Sequence, residues 1–349
     1  MTIQENIPLA QYTTFKIGGL ARYFCVVTNE TELIEAVKFA KSKKLHVFIL
    51  GGGSNLLISD EGFRGLVIKI ENRGISYVNN MVTAFAGEIW DEFVANTVSR
   101  GFGGLENLSA IPGTVGATAV QNIGAYGSDV SSVIESVRVF DTSNLEFVVF
   151  SNSDCGFDYR DSIFKHQKGR FIVVSVTFKL EKNKKVDIGY KDLAEYFSKK
   201  GFGVDSSDVG NSGADEKIPS ILEVRNAVIE IRGNKLPDWK MWGTAGSFFK
   251  NPIIKTKQYD DLKKKFPDLP GFVEPNGMIK IPLGWILDKI CNFKGQFFGH
   301  VGVYEKQALV IVTRPGASST EVVELTKKMQ DKVKEKTGLI IEAEVEWVN

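Results

Sequence analysis

The sequence predicts an α+β fold in three units, and three observations carry that prediction. Residues 22–70 read as a compact α/β unit in which a glycine run directly follows a buried strand. From about Ile75 the character changes to several strands whose spacing favours a mixed or antiparallel sheet. A strongly amphipathic helix marks a third, smaller unit near the C-terminus. The length agrees, because 349 residues exceed one small core and suggest roughly two to three domains.

In the first unit Arg22–Val27 reads as a strand, followed by a helix from Thr31 and strands at Val47–Leu50 and Leu66–Ile70. Thr31 suits the N-cap, Glu32 suits the positive end of the helix dipole, and Leu33, Val37 and Ala40 lie along one face. The second unit holds a strand at Val82–Ala86 and a helix at Trp90–Arg100 stopped by Gly101. Strands at Ser136–Phe140, Glu146–Phe150, Phe171–Leu180 and Ala227–Ile231 follow. Between the last two, a glycine-, serine- and aspartate-rich stretch from Lys199 to Gly213 reads as a surface loop, either a plain insertion or a lid beside Tyr190. The third unit, from about Pro237 to Gly338, contains a strand at Ala308–Val312 and the amphipathic helix. Thr320 can cap its start, Val322, Leu325, Met329 and Val333 form its apolar face, and Gly338 stops it. Leu339–Val348 is a final strand, free to return to another domain.

Apolar residues make up 43% of the chain and charged residues 24%, enough for a sizeable core without extended disorder. With 43 basic and 42 acidic side chains the net charge of +1 offers no broad positive field, which argues against nucleic acid as a partner. Cys25, Cys155 and Cys291 are odd in number and far apart, so neither a zinc site nor a disulfide framework is indicated and a reducing cytoplasm fits. His46, His166 and His300 are equally scattered, and no metal is implied. The N-terminus lacks a basic region followed by an apolar stretch, and no apolar run approaches the ~18 residues of a spanning helix. A soluble, unexported monomer is expected.

Four clusters, three of them punctuated by glycine, leave bare backbone or a polar group where a ligand can sit. Gly51-Gly52-Gly53-Ser54-Asn55 follows a strand, where backbone N–H groups converge on a phosphate or simply make a tight turn. It has neither a Walker ending nor the Gly-x-Gly-x-x-Gly spacing. The stretch 111–127 carries Gly113, Gly116, Gly124 and Gly127 with little large apolar content, a smooth backbone suited to a flat or charged group whose heteroatoms Gln121 and Asn122 can meet. A bound dinucleotide would use both runs. Arg160 in Tyr159-Arg160-Asp161-Ser162 has a fork suited to a carboxylate or oxyanion, or else forms a structural ion pair with Asp161. Ser247, in Gly246-Ser247-Phe248-Phe249-Lys250-Asn251-Pro252, has no triad pattern behind it and would need help as a proton donor. Glu342 and Glu344 alternate with Ala343 and Val345, and Glu344 is either a solvated strand residue or a buried acid.

The order and spacing of these clusters resemble the UDP-N-acetylenolpyruvoylglucosamine reductases, flavoenzymes of bacterial cell-wall precursor synthesis. The resemblance runs from Thr13-Thr14-Phe15-Lys16-Ile17-Gly18-Gly19 to Glu344-Val345 and rests on six ordered motifs. Among them are Gly-Gly-Gly-Ser-Asn-Leu-Leu, Ile-Pro-Gly-Thr-Val-Gly, Asn-Ile-Gly-Ala-Tyr-Gly, Tyr-Arg-Asp-Ser-x-Phe-Lys and Gly-Ser-Phe-Phe-Lys-Asn-Pro.

The resemblance implies an FAD-binding domain of the vanillyl-alcohol-oxidase type, made of two α/β subdomains, plus a smaller α+β C-terminal substrate domain. On this chain the subdomains would be 1–72 and 73–235 and the substrate domain 236–338, with a C-terminal strand at 339–349 returning to the FAD-binding region. FAD would lie between the first two, its pyrophosphate on Gly51, Gly52, Gly53, Ser54, Asn55 and Leu56. Ile111, Pro112, Gly113, Thr114, Gly116, Ala117, Gln121, Asn122, Gly124, Ala125 and Gly127 would line the isoalloxazine side. NADPH would reduce FAD, and hydride would pass to the enolpyruvyl ether of UDP-N-acetylglucosamine to give UDP-N-acetylmuramate. Arg160 would stabilise the enolate, Glu344 would assist, and Ser247 would protonate the adjacent carbon. Tyr190 matches the tyrosine-bearing loop of the longer subclass, Lys235 and Asn251 match substrate-contacting positions, and Arg232 would help them. The chain departs from the commoner pattern in its 199–218 insertion and in Glu346, where the family often has a basic residue. Two other readings stay open on the residues alone: a flavin oxidase of the same superfold, and a noncatalytic sugar-nucleotide-binding protein.

Overall fold

A computed structural model describes residues 1–203 and 217–349, so most of the predicted 199–218 insertion lies outside the described residues. Contacts divide the chain into two units. One comprises Met1–Glu5, Tyr23–Gly52 and Gly65–Asn234; the other comprises Asn6–Arg22, Gly53–Arg64 and Lys235–Asn349.

The first unit begins as the sequence predicts. Strand Val47–Leu50 pairs in parallel with Phe63–Ile70, Val47 opposite Leu66 and Leu50 opposite Lys69. Helix Glu30–Ser42 buries Leu33, Ala36, Val37 and Ala40 on one face. Its cap is Asn29 rather than Thr31: the Asn29 side chain accepts the Glu32 N–H at 3.0 Å while the Glu32 carboxylate takes the Thr28 N–H at 2.7 Å. That exchange satisfies donors the helix leaves orphaned, and it places Thr31 inside the first turn.

A five-stranded antiparallel sheet follows, in the order Glu146–Ser151, Ile134–Asp141, Phe171–Lys179, Met81–Phe85, Ile75–Val78. Its central strand buries Ile172, Val173, Val174, Val176 and Phe178. Helix Trp90–Ser99 lays Trp90 and Phe93 on Phe178, with ring centroids 6.1 and 5.1 Å apart.

Ala227–Ile231, expected as a further strand, is instead part of helix Ile221–Lys235. Val224, Ala227, Val228 and Ile231 are buried at helical spacing, and Ser220 and Glu223 cap the start reciprocally, the Glu223 N–H on the Ser220 hydroxyl at 3.2 Å and the carboxylate on the Ser220 N–H at 2.8 Å. This helix and Lys191–Ser198, which the sequence reading did not anticipate, share a small core of Ile188, Leu193, Phe197, Val224 and Val228.

In the second unit helix Ser319–Thr337 buries the four predicted apolar residues and ends at Gly338 with φ 72°. Ser318, not Thr320, caps it, in a reciprocal box with Glu321. The predicted strand Ala308–Val312 appears as Ile311–Thr313, starting three residues later, at the edge of a short sheet with Val301–Val303 and Phe297–Phe298. The last strand spans only Glu346–Val348 and pairs in parallel with Leu56–Ile58. Residues 339–345 before it form one isolated bridge, Phe249 with Ala343. All three cysteines are free and buried, and burial raises Cys25 and Cys155 to about 12 and Cys291 to about 11, so the thiols stay protonated at neutral pH. Among the described residues no cluster of metal-binding side chains exists, and no helix is long and apolar enough to cross a membrane.

Candidate active site

The glycine runs meet within the first unit. A Cβ on Gly51 would stand 2.7 Å from the Thr114 hydroxyl oxygen, and one on Gly52 would stand 2.7 Å from Gly113 Cα. Both glycines are required by this close approach. Gly53, in the second unit, adopts φ +64°, and a Cβ there would fall 1.9 Å from the Tyr12 carbonyl oxygen. The tight-turn reading is therefore true of Gly53, but it does not exhaust the run. Among the described residues, the backbone N–H groups of Gly52, Gly53 and Asn55 have no acceptor in the protein. Gly52 and Gly53 carry no Cβ, and unpartnered N–H groups on and just after such bare backbone suit a diphosphate, so the residues present fit that part of FAD.

The 111–117 segment is zipped onto residues 86–90. Gly116 donates to Ala86 O at 2.9 Å, Val115 to Glu88 O at 2.9 Å, and Trp90 to Gly113 O at 3.1 Å. A Cβ on Gly116 would sit 2.7 Å from that of Ala86, so Gly116 serves packing. Helix Val115–Gln121 ends on Asn122 in the left-handed conformation, φ 45°. The Asn122 amide is spent inside the protein, donating to Asp158 O at 2.8 Å and accepting from Ser131 N–H at 3.2 Å. Gln121 accepts from Lys165 at 3.0 Å.

Arg160 pairs with Asp129 at 3.0 Å, not with Asp161, whose carboxylate takes His166 at 2.8 Å. The Arg160 guanidinium also donates to Asn122 O at 3.3 Å and to Gly124 O. Its backbone is left-handed, φ 56°, and Lys165 holds its carbonyl at 2.9 Å. This explains Gly124: a Cβ there would lie 1.8 Å from an Asp129 oxygen and 2.6 Å from an Arg160 nitrogen. Gly124-Ala125 and Ser128-Asp129 form a two-residue hairpin around Tyr126 and Gly127, both at positive φ, 50° and 82°, as the type I′ turn requires.

The hairpin turn presents Tyr126 edge-on to Tyr190, with centroids 5.4 Å apart. Burial raises the Tyr126 hydroxyl to about 12 despite hydrogen-bonded Arg232 beside it. Arg232 reaches back to Ala110 O at 3.3 Å, and burial draws its pKa below the usual arginine value. Asn107, buried, donates to both Tyr126 O at 3.2 Å and Asp187 O at 2.9 Å, joining the turn to the segment that leads into Tyr190. Sequence reading did not single out Asn107 or the Tyr126 side chain; the Tyr-Gly pair between short strands was the signal for the turn.

The second unit collects Ser247, Glu344 and Asn251. The 246–251 segment runs between two others: Ser247 bridges Val310, Phe248 donates to Leu309 O at 2.8 Å and accepts from Glu344 N–H at 2.8 Å, and Lys250 donates to Glu342 O at 3.0 Å. Phe248 and Phe249 turn into the core. Among the described residues the Ser247 hydroxyl makes no hydrogen bond, while half-buried Glu344 is anchored further by the Asn55 amide on its carbonyl at 3.1 Å. Asn251 accepts from Leu283 N–H at 2.9 Å, and Lys235 ends its helix exposed.

Residues 21–148 match the FAD binding domain family, and residues 237–348 match the C-terminal domain of UDP-N-acetylenolpyruvoylglucosamine reductase. UDP-N-acetylenolpyruvoylglucosamine reductase of Neisseria gonorrhoeae is 39% identical over 352 residues, covering 99% of this chain and 97% of the relative. The reductase of Flavobacterium johnsoniae is 40% identical over 352 residues and covers 99% of both. A crystal structure of UDP-N-acetylenolpyruvylglucosamine reductase from Thermus caldophilus aligns over 100% of both chains with a TM-score of 0.69 at 24% identity, a likeness of fold. The fold is thus an FAD-binding domain of the vanillyl-alcohol-oxidase type followed by the C-terminal domain of these reductases.

Proposed function

The chain belongs to the UDP-N-acetylenolpyruvoylglucosamine reductases, and on that premise we propose that NADPH is its electron donor and that Arg160, Ser247 and Glu344 carry the chemistry on the substrate. It is an FAD-dependent oxidoreductase that reduces the enolpyruvyl ether of UDP-N-acetylglucosamine enolpyruvate to UDP-N-acetylmuramate, in peptidoglycan precursor synthesis. FAD, when bound, supplies the two-electron carrier between nicotinamide and alkene. Among the described residues the N–H groups of Gly52, Gly53 and Asn55 have no protein acceptor and would hold its diphosphate, and residues of the 111–127 segment would line its ring side.

Hydride arriving at the terminal alkene carbon drives negative charge onto the conjugated carboxylate. Arg160 meets that charge with a guanidinium that Asn122 O, Gly124 O and Asp129 already hold in place, so little reorganisation is needed. Ser247 then gives its proton to the adjacent carbon. The supporting observation is its hydroxyl, which among the described residues makes no hydrogen bond and sits one hydrogen-bonded segment from Glu344. A serine is a weak acid, and Glu344 assists by hydrogen bonding or proton transfer. Tyr190, Arg232, Lys235 and Asn251 bind the substrate, Asn251 through the amide nitrogen that Leu283 leaves unused. The enzyme acts as a cytoplasmic monomer.

An anaerobic visible spectrum tests the reading. NADPH should bleach the flavin bands, and UDP-N-acetylglucosamine enolpyruvate should restore them. A flavin that bleaches but ignores the enolpyruvyl sugar, or a protein that stays colourless with FAD, overturns it.

A further inference from the structure

Two charged residues with no part in the proposed chemistry converge on the start of the glycine segment. Arg225, buried at 8% exposure, forms a two-pronged pair with Asp91, Nη1 to Oδ1 at 2.6 Å and Nη2 to Oδ2 at 3.0 Å. The same Asp91 oxygen accepts the backbone N–H of Ala110 at 2.6 Å. Ala110 has φ 57°, a left-handed conformation that a residue with a Cβ adopts only under constraint. Its carbonyl is gripped as well, by Arg232 Nε at 3.3 Å. Arg225 and Arg232 lie two turns apart on helix Ile221–Lys235 and so share a face. One helix therefore holds both polar backbone groups of Ala110, one directly and one through Asp91.

We infer that Arg225, acting through Asp91, is a positioning residue for the cofactor: the pair locks Ala110 in its left-handed turn and thereby sets the course of Ile111–Gly116. The inference rests on the reading that this segment lies against FAD. Burial pushes the Asp91 carboxyl up, but the Arg225 hydrogen bond, the Ala110 N–H and the charges of Arg225 and Arg232 outweigh it, and the pKa ends below the usual carboxylate value. The clamp is charged at neutral pH. Downstream of Ala110, Gly113 and Thr114 are the residues that Gly52 and Gly51 approach, so an error at Ala110 is carried to both glycine runs.

The test is FAD titration of flavin-stripped protein, followed by visible circular dichroism of the bound flavin. Asp91→Ala should weaken FAD about tenfold, the worth of one hydrogen bond to a charged group, and alter the dichroism. Asp91→Asn, which keeps an acceptor, should lose less. Adding Ala110→Gly to Asp91→Ala should recover most of the affinity, because glycine adopts positive φ without steric cost. Arg225→Met should follow Asp91→Ala, and it carries the test if Asp91→Ala does not fold. Parental affinity and dichroism in both variants overturn the inference. So does a loss that Ala110→Gly leaves unrepaired, which marks general destabilisation. A parent chain that binds no FAD instead sinks the reading beneath it.

Discussion

Arg160 and Ser247 are placed by opposite means. Around Arg160 the chain has little regular ladder, and side chains do the fastening: Asp129 and two carbonyls on the guanidinium, Lys165 on the backbone carbonyl, and Ser162 on Val120 O at 2.6 Å. Around Ser247 the backbone does it, through bridges to Val310 and between Phe249 and Ala343, with Phe248 and Phe249 buried as anchors. The first arrangement fixes a charge in direction. The second fixes a segment and leaves one hydroxyl unspent. A cation that meets developing charge gains from being held before the reaction, whereas a proton donor is useful only if its proton is not already given to the protein.

Three measurements sharpen that contrast, and the largest effect is expected at Ser247. Ser247→Ala should slow recovery of the flavin bands by substrate about a hundredfold, roughly 3 kcal/mol of barrier, while leaving bleaching by NADPH intact. Its folding stability should move by less than about 0.5 kcal/mol, since the hydroxyl has no hydrogen bond among the described residues to lose. Stopped-flow traces of the two half-reactions decide, and equal slowing of both breaks the contrast. Gly124→Ala should act on both properties at once, because its Cβ would stand where Asp129 and Arg160 meet. A loss of about 1–3 kcal/mol in the unfolding free energy from urea titration is expected, with slower recovery of the flavin bands. Unchanged stability would mean the pair is not rigid.

The smallest effect is an acid limb at Asp161. Burial pushes this carboxyl up, but the hydrogen bonds from His166 and the Ser162 N–H and the charges of His166 and Lys165 outweigh it, so its pKa lies below the usual value. A lowered folded-state pKa stabilises above the unfolded value near 4 and is lost as pH falls through the folded value. Asp161→Asn should therefore flatten the fall in unfolding free energy below about pH 4, by less than about 1 kcal/mol because His166 is exposed. At neutral pH a modest loss is expected. A parallel curve in the variant would show that the acid limb belongs elsewhere.

Much of the molecule was legible where the cause is local. Gly101 and Gly338 end their helices at positive φ as their position suggested. The buried faces of Glu30–Ser42 and Ser319–Thr337 follow the apolar spacing. The misread strand at Ala227–Ile231 had a local answer too, in Ser220-x-x-Glu223, which the alternating apolar letters masked. The partner of Arg160 was not legible. Asp161 is adjacent in sequence, but its carboxylate bonds the Ser162 N–H at 2.9 Å and His166, and Asp129 is delivered instead by the register of a hairpin.

The amino-acid letters alone identify the family and the order of its glycine-bearing motifs. Tertiary structure decided why those glycines are bare: Gly53 for the Tyr12 carbonyl, Gly116 for Ala86, Gly124 for an ion pair, and Gly51 and Gly52 for a second loop. It also decided that an alanine is held in a left-handed turn by an aspartate and an arginine far along the chain. The physical reason is that a residue's conformational freedom is written in its own side chain, whereas its neighbours in space depend on register and helix placement, which only the packed chain provides.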